Sequence, residues 1–448
     1  MLRMLHVSNF PLRTGLVLTM LVMLAGAAAA QRPIELEVGR TPDRKIPIAV
    51  PQFVTASEEE SLGRELTEAM RYDLDFSGHF DVLAESAFPS SFNGFTSDAT
   101  QINFEAWRRT PAEYLVYARI TTSGGELVAE CRLFDVYEGF QVVGKRLSVD
   151  SRDWARQLAH RFADEIVLYL TGELGVATSM IAFTVLDGGN KEIYTADYDG
   201  HNLRRVTQHD SISIRPKLSP NGRRIAYVSY KDRYQHLYIL NLDSGESAPL
   251  SRQVGLNAAP AWAPNGERLA IVLGIEGHAN IYTINADGTD RRQLTHDRLL
   301  DTSPTWSPDG ERIAFVSERQ GNPQVFVMNR DGSNVRRVSF AGGSAYDPSW
   351  SPNGRKLVFT VARRGEGYQL NVVDLENGHT RQLTRTGRGM NESPSWAPDS
   401  RHVIFASDRG GSSQLWTVNL DTGEERRVPN MGNRVAEGPY WGPRRHTE

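Results

Sequence analysis

Cysteine is almost missing from this 448-residue chain: Cys131 stands alone, so no intramolecular disulfide can form and a cross-linked scaffold is excluded. The thiol lies in a strand-like run, where a buried, inert side chain is expected. An excess of one charge is missing too. Fifty Lys and Arg against 54 Asp and Glu leave −4, which offers no basic footprint for nucleic acid. The doublets Arg204-Arg205, Arg291-Arg292 and Arg336-Arg337 recur at one place in a repeat and read as a solvated strand edge. There is no Gly-x-Ser-x-Gly elbow, no Gly-x-Gly-x-x-Gly and no phosphate loop. No two of the eleven histidines fall within four residues, so a helical pair of metal ligands is excluded. No cofactor or metal is implied.

Only one long hydrophobic run exists, Gly15 to Gly26, preceded by Arg3 and Arg13 and followed by Ala27 to Ala30. It is shorter than the roughly 20 apolar residues of a membrane span and ends in small residues, so residues 1–30 read as a signal peptide cleaved between Ala30 and Gln31. No cysteine follows it for lipid attachment. The expected product is an exported protein without a membrane span, and loss of the two arginines takes its charge to −6.

Residues 31–175 predict a mixed α/β domain. Ile34-Glu35-Leu36-Glu37-Val38 alternates apolar and charged, as a half-buried or partner-seeking strand does. Ile46 to Val54 is a second extended stretch. Ser57-Glu58-Glu59-Glu60 has the form of a capping box, opening a helix whose Leu62, Leu66, Met70 and Leu74 share one face. Tyr114–Ile120, Glu126–Val136 and Gln141–Val149 read as strands, the first two joined through Ser123-Gly124-Gly125. A second helix runs from about Asp153 to Leu170, has Leu158, Phe162, Ile166 and Leu170 on its inner face, and is closed by Thr171-Gly172. His160 on it is a lone histidine, read as a packing or surface residue.

From residue 176 one phrase is written six times. Its fullest copy, Pro304 to Gly310, is Pro-x-Trp-Ser-Pro-Asp-Gly. The second prolines, Pro220, Pro264, Pro308, Pro352, Pro398 and Pro443, are spaced 44, 44, 44, 46 and 45 residues apart. Each interval holds two apolar strands, a tight turn and a more polar strand, which predicts a six-bladed β-propeller over 176–448. The overall class is therefore α+β: an amino-terminal mixed α/β domain followed by the propeller. Trp262, Trp306, Trp350, Trp396 and Trp441 are read as packing between blades, while Leu218 replaces the tryptophan in the first copy. The first blade lacks an inner strand of its own and the chain finishes on Pro439-Tyr440-Trp441, so the two are expected to pair and close the ring.

The residues just before each Pro-x-Trp differ from copy to copy. They are Ile214-Arg215, Asn257-Ala258-Ala259, Asp301-Thr302-Ser303, Tyr346-Asp347, Asn391-Glu392-Ser393 and Glu437-Gly438. They read as loops around the central opening, on the face opposite the Pro-Asp-Gly turns, where recognition is usually built. A glycosidase-type carboxylate pair among Asp301, Asp347, Glu392 and Glu437 is conceivable, but no spacing selects one.

These features together resemble the TolB family, the periplasmic β-propeller component of the Tol–Pal envelope system. The specific elements are Ile34–Val38, Ala112-Glu113-Tyr114-Leu115-Val116, Leu133-Phe134-Asp135-Val136, Ala159-His160-Arg161-Phe162-Ala163-Asp164-Glu165-Ile166, Thr171-Gly172-Glu173 and the repeats. The resemblance implies a non-enzymatic periplasmic hub that maintains outer-membrane integrity and supports invagination during division. It implies binding of the lipoprotein Pal by the propeller through Leu256, Asn257, Ala258, Ala259, Asp301, Thr302 and Ser303. It also implies binding of TolA by an arm, residues 31–40, through Ile34, Glu35, Leu36, Glu37 and Val38; other envelope proteins are further partners. Leu256 departs from the family, whose members can carry a histidine there. The competing expectation is an exported propeller hydrolase or glycan-binding protein that uses the central opening.

Overall fold

A computed structural model of the protein describes residues 44–92, 94–95, 101–385 and 389–445. The segment read as a signal peptide, 1–30, with its expected cleavage point at Ala30/Gln31, and the expected arm, 31–40, with Ile34, Glu35, Leu36, Glu37 and Val38, lie outside the described residues. No described helix is long and apolar enough to cross a membrane.

The first part is a five-stranded sheet in the order β2-β1-β3-β4-β5, made of β1 (Ile46–Ala49), β2 (Phe80–Val82), β3 (Tyr114–Ser123), β4 (Glu126–Asp135) and β5 (Phe140–Val149). β1 runs parallel to both β2 and β3, and β3 to β5 form an antiparallel meander. The parallel pairings need a crossover, which α1 (Glu60–Phe76) supplies between β1 and β2. α1 packs beside α2 (Arg156–Thr171). Their inner faces, Leu62, Leu66, Met70 and Leu74 on one and Leu158, Phe162 and Ile166 on the other, are buried against the sheet with Cys131. Gly172 ends α2 in the left-handed conformation at φ 71°, where glycine carries no Cβ penalty.

The capping box is not formed. The chain enters α1 through a 3-10 turn, Ser57–Glu59, in which no side chain caps the backbone. Glu60 instead faces Arg64 one turn on, and Glu59 accepts from the Thr122 hydroxyl.

Strands from Ser179 to Arg444 form six four-stranded sheets, numbered here as blades 1 to 6. Their innermost strands are Ala436–Arg444, Ser213–Leu218, Asn257–Trp262, Asp301–Trp306, Ser344–Trp350 and Asn391–Trp396. Each touches the next around a ring, so blades 2 and 5 stand opposite one another. Blade 1 joins both ends of the repeat region. Ala436 pairs with Val185, Tyr440 with Ala182 and Trp441 with Ile181, leaving no open sheet edge between first and last blades.

The Pro-Asp-Gly turns interlock from blade to blade. Gly310 adopts φ 73°, and a Cβ there would lie 3.3 Å from Pro264 of the preceding turn. Ser400 fills the same role without being glycine, at φ 58°, and its hydroxyl accepts the Asn353 N–H at 3.1 Å. Leu218, where other blades have tryptophan, packs against Gly442.

The α/β part is seated on this turn side at blades 6 and 1. Phe76 stacks on His402 at 4.5 Å, Arg401 meets Glu173 at 2.8 Å and Arg426 meets Asp75 at 2.7 Å. At the centre of the junction His160, wholly buried, holds Asp73 through Nδ1 at 2.8 Å. The Tyr198 hydroxyl donates to the other oxygen of Asp73 at 2.6 Å. His160 is therefore a buried ionic tie rather than a surface residue. Burial alone would lower its pKa, but Asp73, Asp199 and Asp197 outweigh that and hold it up at about 9. His160, Asp197 and Asp199 crowd together as metal ligands would. Arg156 on Asp199 at 2.5 Å and Arg445 on Asp197 at 3.2 Å already supply the compensating charge.

A raised histidine pKa stabilises the fold fully below the unfolded value of about 6.5, and the contribution is lost as pH rises through about 9. The shift corresponds to stabilisation on the order of 3 kcal/mol. His160→Leu leaves Asp73 buried without its cation and should cost about 3–5 kcal/mol at pH 6. Urea midpoints at pH 6, 8 and 10 check this: the wild type should lose stability across the series, and the variant should lack that alkaline slope.

Candidate functional site

The residues expected as loops before each Pro-x-Trp are not loops. They are the first halves of the innermost strands. In each, pairing skips a residue: in blade 4 Thr302 faces Val316 and Thr305 faces Ala314, so Ser303-Pro304 carries one residue more than its partner. This is a β-bulge. It breaks the period-2 alternation by which a strand is recognised in sequence, and the proline adds to the loop-like reading.

The residue before the proline has positive φ in all six copies: Arg215 55°, Ala259 46°, Ser303 50°, Asp347 47°, Ser393 54° and Gly438 54°. Left-handed backbone is disfavoured for residues with a Cβ, yet five of the six have one. What the conformation achieves is position. These six residues, and the six that follow the prolines (Lys217, Ala261, Thr305, Ser349, Ser395 and Tyr440), line one central cavity of about 400 Å³.

Three positions of each copy thus have three fates. The first, Ser213, Asn257, Asp301, Ala345, Asn391 and Ala436, is buried in every blade. Asn257 donates to the carbonyls of Gln253, Gly255 and Gln235 and accepts from Ser251, tying up its own approach loop. Asp301 receives Arg319 at 3.2 Å, and burial raises its carboxyl pKa. Asn257 and Asp301 are therefore internal anchors, and their side chains are withdrawn from any partner. The second position (Ile214, Ala258, Thr302, Tyr346, Glu392 and Glu437) is half-buried. The third is the bulge residue at the cavity. Leu256, half-buried, backs onto Gly274. Of the seven residues expected to meet a partner, Leu256, Ala258, Ala259, Thr302 and Ser303 keep part of their surface.

Electrostatics inside the opening centre on one pair. Arg215 of blade 2 reaches across to Asp347 of blade 5, Nη1 to Oδ1 at 3.2 Å. Ser303 and Ser393, from the blades flanking Asp347, each donate to it at 3.3 Å. Burial alone would raise the Asp347 pKa; Arg215, Lys217 and the Ser303 hydroxyl bring it below the ordinary carboxylate value. Glu392 makes no ion pair among the described residues, and the charge of Arg215 offsets only part of what acts on it. Burial and then the charge of Asp347 push its pKa up. Glu437 pairs with Lys191 at 2.5 Å. Of the four carboxylates considered for hydrolysis, Asp301, Asp347 and Glu437 are held by cations. Sequence reasoning missed the cross-channel pair; the half-ring spacing of Arg215 and Asp347, three repeats apart, is the signal that marks it.

The tryptophans pack between blades. The indole N–H of Trp262 donates to the Lys217 carbonyl at 2.9 Å and that of Trp396 to the Ser349 carbonyl at 3.0 Å, each in the preceding blade.

Comparison with known proteins follows this division. Residues 168–445 match the TolB beta propeller domain and residues 34–142 the TolB amino-terminal domain. Relatives named Tol-Pal system protein TolB include one from Desulfosudis oleivorans, 35% identical over 54% of this chain and 55% of its own length. Another, from Geobacter sulfurreducens, is 36% identical over 47% and 48%. The chain thus spans about half the length of the curated relatives it matches. The crystal structure of TolB from Acinetobacter baumannii superposes with a TM-score of 0.79 at 25% identity, covering 90% of this chain and 98% of that one. With both the amino-terminal domain and the whole ring matched, the chain belongs to the TolB family.

Proposed function

We propose that this chain is a non-enzymatic periplasmic hub of the Tol–Pal system, docking Pal on the mouth face of its propeller and TolA through its amino-terminal arm. In that role it maintains outer-membrane integrity and supports invagination during division. The observation that carries the reading is one-sided exposure. Ile212, Val254, Leu299, Leu300, Phe340 and Met390 stand exposed in the connections leading into the inner strands, with Leu186 and Tyr234 in the neighbouring strand ends and turns. On the turn side, Val335 is the large apolar residue of the described propeller that is comparably open. Scattered exposed apolar residues need no explanation, but their concentration on one face is the mark of a protein interface. Val254 at 87%, Tyr234 at 72% and Phe340 at 68% exposure surround a preformed opening, so a folded partner docks with little ordering cost.

The turn side is occupied at two blades by the α/β part, which leaves the mouth face as the broad unpartnered surface. The names of the relatives support the system, and the alternating Ile34–Val38 segment suits strand addition to a partner's sheet edge. Under this reading Ala259→Arg and Thr302→Arg, both at the mouth and outside the hydrophobic clusters, should each weaken Pal binding roughly tenfold or more while thermal unfolding is unchanged. Calorimetric titration with Pal checks this, and unaltered affinity in both variants would remove the mouth face from the reading. Deleting residues 31–40 should abolish TolA capture from envelope extract and spare Pal capture. Loss of both partners together would contradict the division of labour.

A further inference from the structure

The channel holds a cation that the docking surface does not use. Just inside the bulge residues, the next ring of the wall is Lys217, Ala261, Thr305, Ser349, Ser395 and Tyr440, and it contains no carboxylate. The Lys217 ammonium makes no hydrogen bond or ion pair among the described residues; it rests 4.7 Å from the Tyr440 ring. Asp347 is the one carboxylate near enough to register on Lys217, and it is already engaged by Arg215, Ser303 and Ser393. The face of the Tyr440 ring offsets only part of this half-buried charge, and an ammonium without a hydrogen-bonded anion costs free energy that an anion would recover. Opposite Lys217, the Thr305 and Ser349 hydroxyls have no hydrogen bond among the described residues and are free to donate. The rest of the wall is mixed: proline rings, indole and the Tyr440 ring supply its apolar part, and Ser219, Ser307 and Ser395 lie among them; the volume of about 400 Å³ falls in the range of small-molecule sites.

We propose that this channel is a binding site for a monocarboxylate on a small apolar or aromatic body. The carboxylate sits on Lys217 with the hydroxyls of Thr305 and Ser349, and the apolar body lies against the prolines and Tyr440. The single uncompensated charge selects a monoanion. The groups facing the ammonium are Arg215 on its own strand, Asp347 across the ring and Tyr440 on the adjoining strand. Burial, helped by Arg215 and opposed by Asp347, brings the Lys217 pKa down to about 8, while burial lifts the Tyr440 hydroxyl to about 12. Affinity for the anion is thus full below pH 8 and lost above it, and binding near pH 8 takes up a proton. The carboxylate has two possible sources, a free small acid or an acidic side chain of a docked protein.

The test is calorimetric titration of the full-length protein with benzoate, its neutral isostere benzamide serving as the control. Benzoate should bind saturably at pH 6.5, at least tenfold more weakly at pH 9.5, and not at all to Lys217→Met; benzamide should not bind. Equal benzoate affinity in wild type and Lys217→Met, or affinity unchanged between the two pH values, overturns the proposal. A second reading needs no variant to fold. The chain has six lysines, so carbon-13 spectra of ε-labelled lysine resolve them, and saturating benzoate should raise the pKa of one from about 8 by a unit or more. A wild-type lysine pKa that benzoate leaves unmoved overturns it as well. Benzoate that competes with Pal identifies the docked protein as the source of the acid, and benzoate that does not compete identifies a free one; either result presupposes the site.

Discussion

The pairing of residues 436–444 with residues 179–187 is the constraint on which the rest of the molecule depends. Without it blade 1 is three strands, the ring has two open edges, and the channel has a slot in its wall where Gly438 and Tyr440 now stand. The same strand places Trp441 beside Phe76 and Tyr198 at the junction with the α/β part. Ring closure, channel lining and seating of the amino-terminal part therefore rest on one set of backbone hydrogen bonds, contributed by residues separated by about 250 positions.

Division of labour along each innermost strand follows from the bulge. A regular strand would turn successive side chains alternately to the channel and to the blade interior. Inserting one left-handed residue before the proline gives a buried anchor, a mouth residue and a channel residue in immediate succession. This lets a repeat of nearly fixed framework carry six independent choices at the mouth and six at the wall. At the bulge and the wall the choices made here concentrate charge in blades 2 and 5, while at the mouth blades 6 and 1 carry Glu392 and Glu437. The clamp of Arg215 on Asp347 then spans the opening as a single bridge, with Lys217 beneath it.

Much of this was legible in sequence because the framework letters have direct physical meanings. The 44-residue period, the glycine turns and the terminal Pro439-Tyr440-Trp441 specify blade number and closure, since each acts through local backbone geometry or strand count. The two helices were legible from four-residue apolar spacing. What was hidden involves residues brought together by the ring or by non-local packing. Asn257 and Asp301 look like polar loop residues, and only the curled approach loops show that their side chains are consumed internally. His160 looks solitary because Asp73, Asp197 and Asp199 come from another helix and from blade 1. Ser57 and Glu60 satisfy the letters of a capping box, but Ser57 lies within a 3-10 turn and the Glu60 carboxylate is turned to Arg64.

The closing strand also has a consequence in time. The sheets of blades 2 to 6 are each built from strands that follow one another in the chain, whereas blade 1 draws its innermost strand from about 250 residues away. Until residue 444 is available, Ser179–Asp187 offers an unpaired edge and Phe76 lacks its Trp441 neighbour, so the junction and the ring reach their final form together. The pairing of residues 436–444 with residues 179–187 has the widest sequence separation of any strand pair among the described residues, which makes ring closure the committing step of assembly.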